Sequence, residues 1–304
     1  MNSSNDNGKK GLSTELPNPV TENIDLLDTG SVLRLINRED ATVASAVAKA
    51  IPEITLLVER ACKVIEEGGR LVYAGAGTSG RLAMVDAAEC KPTYRAGAET
   101  VVALVAGGTR ALRGPVEGAE DNVRLAGLDA RAVRLSGKDL LFAISASGRT
   151  PYVLELVRYA KRLGGTTAGL SSNRVGLLEA VDLPIFVDTG PEVITGSTRM
   201  KAGTACKLVL NSISTTVMIK LGRVYSNYMV DLEPVTEKTR LRAERMVQEL
   251  TGADESKAVA ALKASGYHVK VAIVMVRLGV TKERALKLIQ RADGHLRRIP
   301  GMDS

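Results

Sequence analysis

Two acidic segments and three hydroxyl-rich loops carry the residues whose types and spacing could do chemistry. Glu89 stands within Asp86-Ala87-Ala88-Glu89-Cys90-Lys91-Pro92, and Glu120 within Glu117-Gly118-Ala119-Glu120-Asp121. Two carboxyl groups held at different pKa values can act as general acid and general base. Taken alone, acidic residues in such segments usually mean a solvated face or a favourable charge near a helix N-terminus. Ser145-Ala146-Ser147-Gly148-Arg149-Thr150-Pro151 offers three hydroxyls, a glycine and the free amides of a helix start, a natural cradle for phosphate. An ordinary cap needs only one hydroxyl. Gly190-Pro191-Glu192-Val193-Ile194-Thr195-Gly196-Ser197-Thr198-Arg199, followed by Lys201, repeats the combination at another helix start. Glu192 could serve there as a base, or pair with Arg199 or Lys201. The third loop, Gly75-Ala76-Gly77-Thr78-Ser79-Gly80, formally matches a dinucleotide fingerprint. The next strand ends Val105-Ala106-Gly107-Gly108, without the carboxylate that would hold a ribose, and Glu99 is at its wrong end, so NAD-type binding is set aside.

Other chemistries lack their residues. The two histidines, His268 and His295, lie near the C-terminus, far in sequence from every loop above. Cys62, Cys90 and Cys206 are isolated, so neither a disulfide framework nor a zinc ribbon is written in the chain. Acid–base work therefore falls to carboxylates, lysine or tyrosine. Lys and Arg number 41 against 34 acidic residues, a net +7 that favours an anionic partner. Aromatics are only 3%, too few for stacking on single-stranded bases, and the basic residues form no run. A small phosphorylated ligand fits better than nucleic acid. The first residues, MNSSNDNGKK, lack the apolar stretch of a signal peptide, and the longest clean apolar run, Val271 to Val276, is far short of a membrane span. The expectation is a reduced, cytoplasmic, soluble protein without membrane contact.

The elements that must position these loops follow from periodicity. Helical spacing runs from Ser31 to Ala50 and from Pro52 to Glu67, with Gly68-Gly69 as a stop. Short apolar runs at Arg70–Ala74, Thr100–Val105, Leu140–Ser145, Thr166–Leu170 and Leu183–Val187 read as strands. Helix-period segments at Leu82–Ala88, Val116–Ala126 and Tyr152–Leu163 lie between them, and a long helix is expected from about Ser197 to Leu221. Pro92 is expected to stop the helix that carries Glu89. Alternating strands and helices predict an α/β, doubly wound three-layer αβα sandwich around a mainly parallel five-stranded sheet, whose ligands bind outside the carboxyl ends of the strands. After Pro234 the strands cease, and residues 236–250, 254–264, 268–277 and 281–291 read as short helices. The expected division is a flexible lead-in over 1–20, a catalytic domain over 21–235 and a small helical domain over 236–304.

The combination GAGTSGR, DAAEC, VEGAED, SASGRTPYV and GPEVITGSTRMKAGTACKLVLN resembles the N-acetylmuramic acid 6-phosphate etherase family, of the sugar isomerase (SIS) superfamily. The likeness runs from about Thr14 to about Gln290. It implies an SIS-type fold with a ubiquitin-associated-like helical domain, and a cytoplasmic lyase that cleaves the D-lactyl ether of N-acetylmuramate 6-phosphate. The products would be N-acetylglucosamine 6-phosphate and D-lactate, in cell-wall amino-sugar recycling. A homodimer with no metal and no nucleotide cofactor is implied as well. The family's proton donor falls on Glu89 and its partner base on Glu120. The phosphate site would fall on Ser145, Ser147 and Thr150, with Thr78 and Ser79 lining the sugar; Arg149 and Glu192 complete the candidate substrate contacts. Lys91 stands where the family pattern has proline, and a cation close to Glu89 would favour its carboxylate over its acid form. The alternatives are an aldose–ketose isomerase of the same fold, using a loop carboxylate such as Glu192, and a non-catalytic sugar-phosphate-sensing regulator. A DNA-binding regulator would need a helix-turn-helix with a basic face, which is not evident.

Overall fold

The computed structural model describes residues 11–97 and 99–302. Five strands, β1 (Leu71–Gly75), β2 (Val101–Val105), β3 (Leu140–Ile144), β4 (Thr166–Ser171) and β5 (Leu183–Phe186), form one sheet in the order β2-β1-β3-β4-β5. The pairs β1–β3, β3–β4 and β4–β5 are parallel, with Leu71 opposite Leu140 and Leu140 opposite Thr166. β1 and β3 are buried along their whole length, which is why they read as unbroken apolar runs rather than alternating ones. The order reverses between β1 and β3, so a crevice opens beyond their carboxyl ends.

Helices α1 (Thr29–Asp40), α2 (Thr42–Ala48) and α3 (Ile51–Glu66) precede the sheet; α4 (Gly77–Tyr94), α5 (Val123–Ala132), α6 (Pro151–Arg162) and α7 (Leu177–Ala180) connect its strands; α8 (Lys201–Lys220) follows it. Tyr152, Val153, Leu156 and Val157 of α6 pack with Val72, Ala74, Leu141 and Ala143 of the sheet in one apolar cluster. At about 25 cal/mol per Å² of apolar surface, such side chains contribute about 1.5–3 kcal/mol each to holding the layer together.

The chain divides into two compact units: the described residues up to Asp86 with Val102–Ile213, and Ala87–Val101 with Ser214 onward. The second unit contains α9 (Glu237–Thr251), α10 (Glu255–Ser265), α11 (Val269–Leu278) and α12 (Lys282–Arg291). Its own core is built from Met246, Val247, Leu262, Ile273 and Leu296, joined by Tyr225. The helical unit thus includes the ends of α4 and α8 besides the segment after 235. Left-handed glycines at 252, 266 and 279 end α9, α10 and α11 in turn.

Within residues 11–20, Thr14 and Asn18 are buried, and the Ser13 amide donates to Asn173 Oδ1 at 2.8 Å. Residues 1–10 lie outside the described residues. Three expectations are corrected. The single helix expected over Ser31–Ala50 is divided at Ala41. The helix expected at Val116–Ala126 begins only at Val123, because Gly118 adopts φ +68° and Asn122 caps the start by accepting from the amides of Arg124 and Leu125. Pro92 does not stop α4, which runs two residues further. Arg95, at φ +48°, ends it, with its amide bonded to the Lys91 carbonyl at 2.8 Å.

Candidate active site

The hydroxyl loop after β3 is drawn together by its own side chains. Ser145 Oγ lies 2.8 Å from Thr150 Oγ1 and 3.4 Å from Ser147 Oγ, and it accepts the Gly148 amide at 3.1 Å. Ser147 Oγ accepts the Arg149 amide at 3.2 Å. Gly148 is required here. Its φ is +73°, and a Cβ would meet the Val175 carbonyl oxygen at 2.6 Å. Thr150 is the N-cap residue of α6 but makes no side-chain cap bond, and Pro151 begins the helix. The hydroxyls are thus gathered with one another instead of being spent on the helix end. Arg149 is exposed and forms no ion pair among the described residues.

Glu120 is reached through the backbone. Its carbonyl accepts the Tyr152 amide at 2.9 Å, which binds the turn carrying Glu120 to the first turn of α6. Its side chain is exposed. Asn122 then starts α5, so Glu120 stands on a turn before a helix and not on the helix itself.

The loop after β1 uses its glycines for close packing. A Cβ on Gly75 would fall 2.7 Å from the Gly80 amide nitrogen, and one on Gly80 would fall 2.6 Å from Val105 Cγ2. The fingerprint-like spacing therefore serves the approach of α4 to the sheet. Thr78 and Ser79 are half-buried in its first turn. Ser79 borders a small cleft with Ala146, Ser171, Ser172, Ala205 and Cys206, at the carboxyl ends of the strands. Glu89 is exposed on the same helix, ten residues on, and Lys91 is exposed beside it in sequence.

Glu192 is fully buried. Its Oε2 accepts the Lys201 amide at 2.9 Å and its Oε1 the Ala202 amide at 3.0 Å. It neutralises the orphan donors at the start of α8, where a carboxylate also meets the favourable end of the helix dipole. Neither sequence-based pairing holds: Lys201 Nζ goes instead to Glu39 Oε2 at 2.9 Å. Burial works to raise the Glu39 carboxyl, but hydrogen bonds from Lys201 and Asn18 outweigh it and hold its pKa below the usual value.

Tyr152 and Cys206 are unsuited to proton transfer at neutral pH. Burial, followed by the bond to Asp129, raises the Tyr152 hydroxyl. Burial and then the charge of Asp86 push the Cys206 thiol up to about 12. Among the described residues no three His, Cys, Asp or Glu side chains converge as a metal site. Sequence reasoning missed Asn173, which links the loop after β4 to the Ala146 carbonyl; the polar triplet Ser171-Ser172-Asn173 at a strand end was the available signal.

Three comparisons bear on this arrangement. The model of the glucokinase regulatory protein N-terminal SIS domain matches residues 53–161. The N-acetylmuramic acid 6-phosphate etherase of Exiguobacterium sp. is 49% identical over 287 residues, covering 94% of this chain and 98% of that one. The enzyme of that name from Caldanaerobacter subterraneus is 50% identical over 286 residues, covering 94% of each. A phosphoheptose isomerase structure from Francisella tularensis shares the fold alone, at 15% identity and TM-score 0.50, covering 64% of this chain and 100% of that one. Near-half identity carried through almost the whole chain, on a parallel sheet of SIS type, decides the matter: the chain belongs to the N-acetylmuramic acid 6-phosphate etherase family.

Proposed function

We propose that the protein cleaves the lactyl ether of N-acetylmuramate 6-phosphate, releasing D-lactate and N-acetylglucosamine 6-phosphate in amino-sugar recycling. The observation that carries this reading is the Tyr152–Glu120 backbone bond: it ties a free carboxylate to the helix that starts at the hydroxyl cradle. Ser145, Ser147, Thr150 and Arg149 take the phosphate, and Thr78 and Ser79 border the sugar. In the open-chain sugar, Glu120 removes the proton on carbon 2, next to the aldehyde. Glu89 protonates the departing lactate oxygen on carbon 3, and a carbon–carbon double bond forms between the two carbons. Water then adds to carbon 3 with general-base help, and the pair of carboxyl groups returns to its starting protonation.

The protein acts as a cytoplasmic homodimer whose sites draw on both subunits. The support is α4, which is unbroken from Gly77 to Tyr94. Ten residues of helix from Ser79 to Glu89 advance by about 15 Å, too far for one hexose phosphate to touch both comfortably. An isomerase using Glu192 is disfavoured because both of its carboxylate oxygens are occupied by α8 amides.

Incubation with N-acetylmuramate 6-phosphate and assay of free D-lactate tests the reading. Glu89→Gln and Glu120→Gln should each abolish release while keeping the fold, since both side chains are exposed. Glu89→Gln should still exchange the carbon-2 hydrogen with deuterated water. Near wild-type lactate release by either variant would remove that residue from the mechanism, and substrate binding without any release by the wild-type protein would favour a sensing role.

A further inference from the structure

The peptide between Ala146 and Ser147 sits at the centre of the hydroxyl loop, and its carbonyl is heavily claimed. It accepts from Asn173 Nδ2 at 2.9 Å, from Ser171 Oγ at 3.2 Å and from the Ser172 amide at 3.2 Å. All three donors lie in the short segment at the end of β4 and just after it. In a trans peptide the N–H points opposite to the C=O. The Ser147 N–H is therefore turned away from that segment, and among the described residues it meets no acceptor.

Asn173 is itself fixed from the far end of the chain. It is buried, its Oδ1 accepts the Ser13 amide at 2.8 Å and the Ser13 hydroxyl at 3.1 Å, and its Nδ2 donates to Thr14 Oγ1 at 3.0 Å as well as to Ala146. Its side-chain amide therefore has partners for both hydrogens and for its oxygen, which leaves it a single orientation. Ser171 Oγ also accepts the Asn173 amide at 3.0 Å, so backbone and side chain are held together.

We propose that Asn173 is a positioning residue of the phosphate cradle: with Ser13 and Thr14 behind it, it holds the Ala146 carbonyl on the β4 side so that the Ser147 N–H is presented as a donor to a phosphoryl oxygen. The inference rests on the reading of the loop over 145–150 as the phosphate site. Without Asn173 the Ala146 carbonyl keeps only the Ser171 hydroxyl and the Ser172 amide, each at 3.2 Å, so the peptide is held more loosely and the donor is presented less of the time. The residue never touches the substrate; it acts through the backbone of Ala146 and Ser147.

The test uses the full chain with inorganic phosphate as the probe, measured as a competitive inhibitor of lactate release at a temperature where each variant is fully folded. Asn173→Ala should weaken phosphate inhibition and raise KM by about tenfold, the loss of one hydrogen bond to a charged oxygen, with a smaller change in kcat. Phosphate should protect the Ser147 amide from hydrogen exchange in the wild-type protein and much less in Asn173→Ala. A merely structural role would lower the melting temperature and leave phosphate affinity and that protection unchanged, which would overturn the proposal. Ser147→Ala separates the two levels. If phosphate inhibition is untouched in Ser147→Ala as well, the phosphate site itself lies elsewhere; if it falls in Ser147→Ala but not in Asn173→Ala, only the positioning role is lost. Thr14→Val covers the case in which Asn173→Ala does not fold. It removes one partner of the Asn173 amide while keeping the side-chain shape, and a smaller loss of phosphate affinity in the same direction is expected; no loss would count against the proposal.

Discussion

Asp139 shows how a single buried carboxylate couples stability to pH in this protein. It is almost wholly buried, and it accepts from the Arg70 amide at 3.0 Å, from Arg70 Nε at 3.0 Å and from Arg70 Nη2 at 2.9 Å. The Ser136 amide adds a bond at 2.9 Å. Burial works to raise its pKa, but the Arg70 and Ser136 bonds prevail and hold it below the ordinary value. A depressed carboxyl contributes stability that is fully present above its unfolded pKa and is lost as pH falls through the folded one. Asp139→Asn should therefore cost about 3 kcal/mol at neutral pH, because it leaves Arg70 with a broken partner. The gap between wild type and variant should close as pH falls below about 4. Chemical denaturation of both proteins at pH 7 and near pH 3 checks this; an equal gap at both values would mean that the carboxylate charge is not what stabilises the link between the start of β1 and the turn before β3.

At the scale of elements, α8 depends on a residue outside it. Glu192→Gln should lower stability by about 1.5–3 kcal/mol, since two backbone donors at a helix start lose a charged acceptor. Calorimetry with parallel lactate assays distinguishes this from chemistry: a folded variant with turnover reduced a hundredfold or more would return Glu192 to the reaction. The sequence could suggest Glu192 as a base, a substrate contact or an ion-pair partner, because nothing in its spacing reveals that its two oxygens meet amides nine and ten residues ahead. Strands are legible to within about a residue at each end, because β1 and β3 are buried on both faces and their composition says so. The start of α5 is not, since apolar spacing around Val116 to Ala126 overlaps a turn set by Gly118 and Asn122. The end of α4 escapes sequence reasoning because Pro92 tolerates a position close to a terminus that Arg95 in fact creates. Glu89, Glu120 and the hydroxyl loop stand out as motifs; the backbone bond that ties Glu120 to α6 spans 32 residues of sequence and leaves no local trace.

At the scale of the whole molecule, charge is unevenly distributed along the chain. Residues 236–304 hold 14 basic and 8 acidic residues, which accounts for +6 of the net +7. The rest of the chain is nearly neutral, so the total charge says little about the phosphate cradle, whose donors are local. Assembly is the other whole-molecule property, and it can be tested by complementation. Mixing Glu89→Gln subunits with Glu120→Gln subunits, each inactive alone, should restore lactate release in hybrid dimers, because a shared arrangement leaves one site unmutated; hybrids verified by mass spectrometry yet inactive would reject it. The bond between Ser13 and Asn173 joins residues 160 positions apart, and so has a consequence for biosynthesis. A ribosome adding about 5–20 residues per second needs about 8–32 s to make the partner of a segment it has already released. Ser13 is made 160 residues before Asn173, and with Thr14 it finds its place only after β4 has been made. The lock behind the cradle therefore closes late in translation, and a nascent chain halted before Asn173 would hold the Ser145–Thr150 sequence without the brace that orients it.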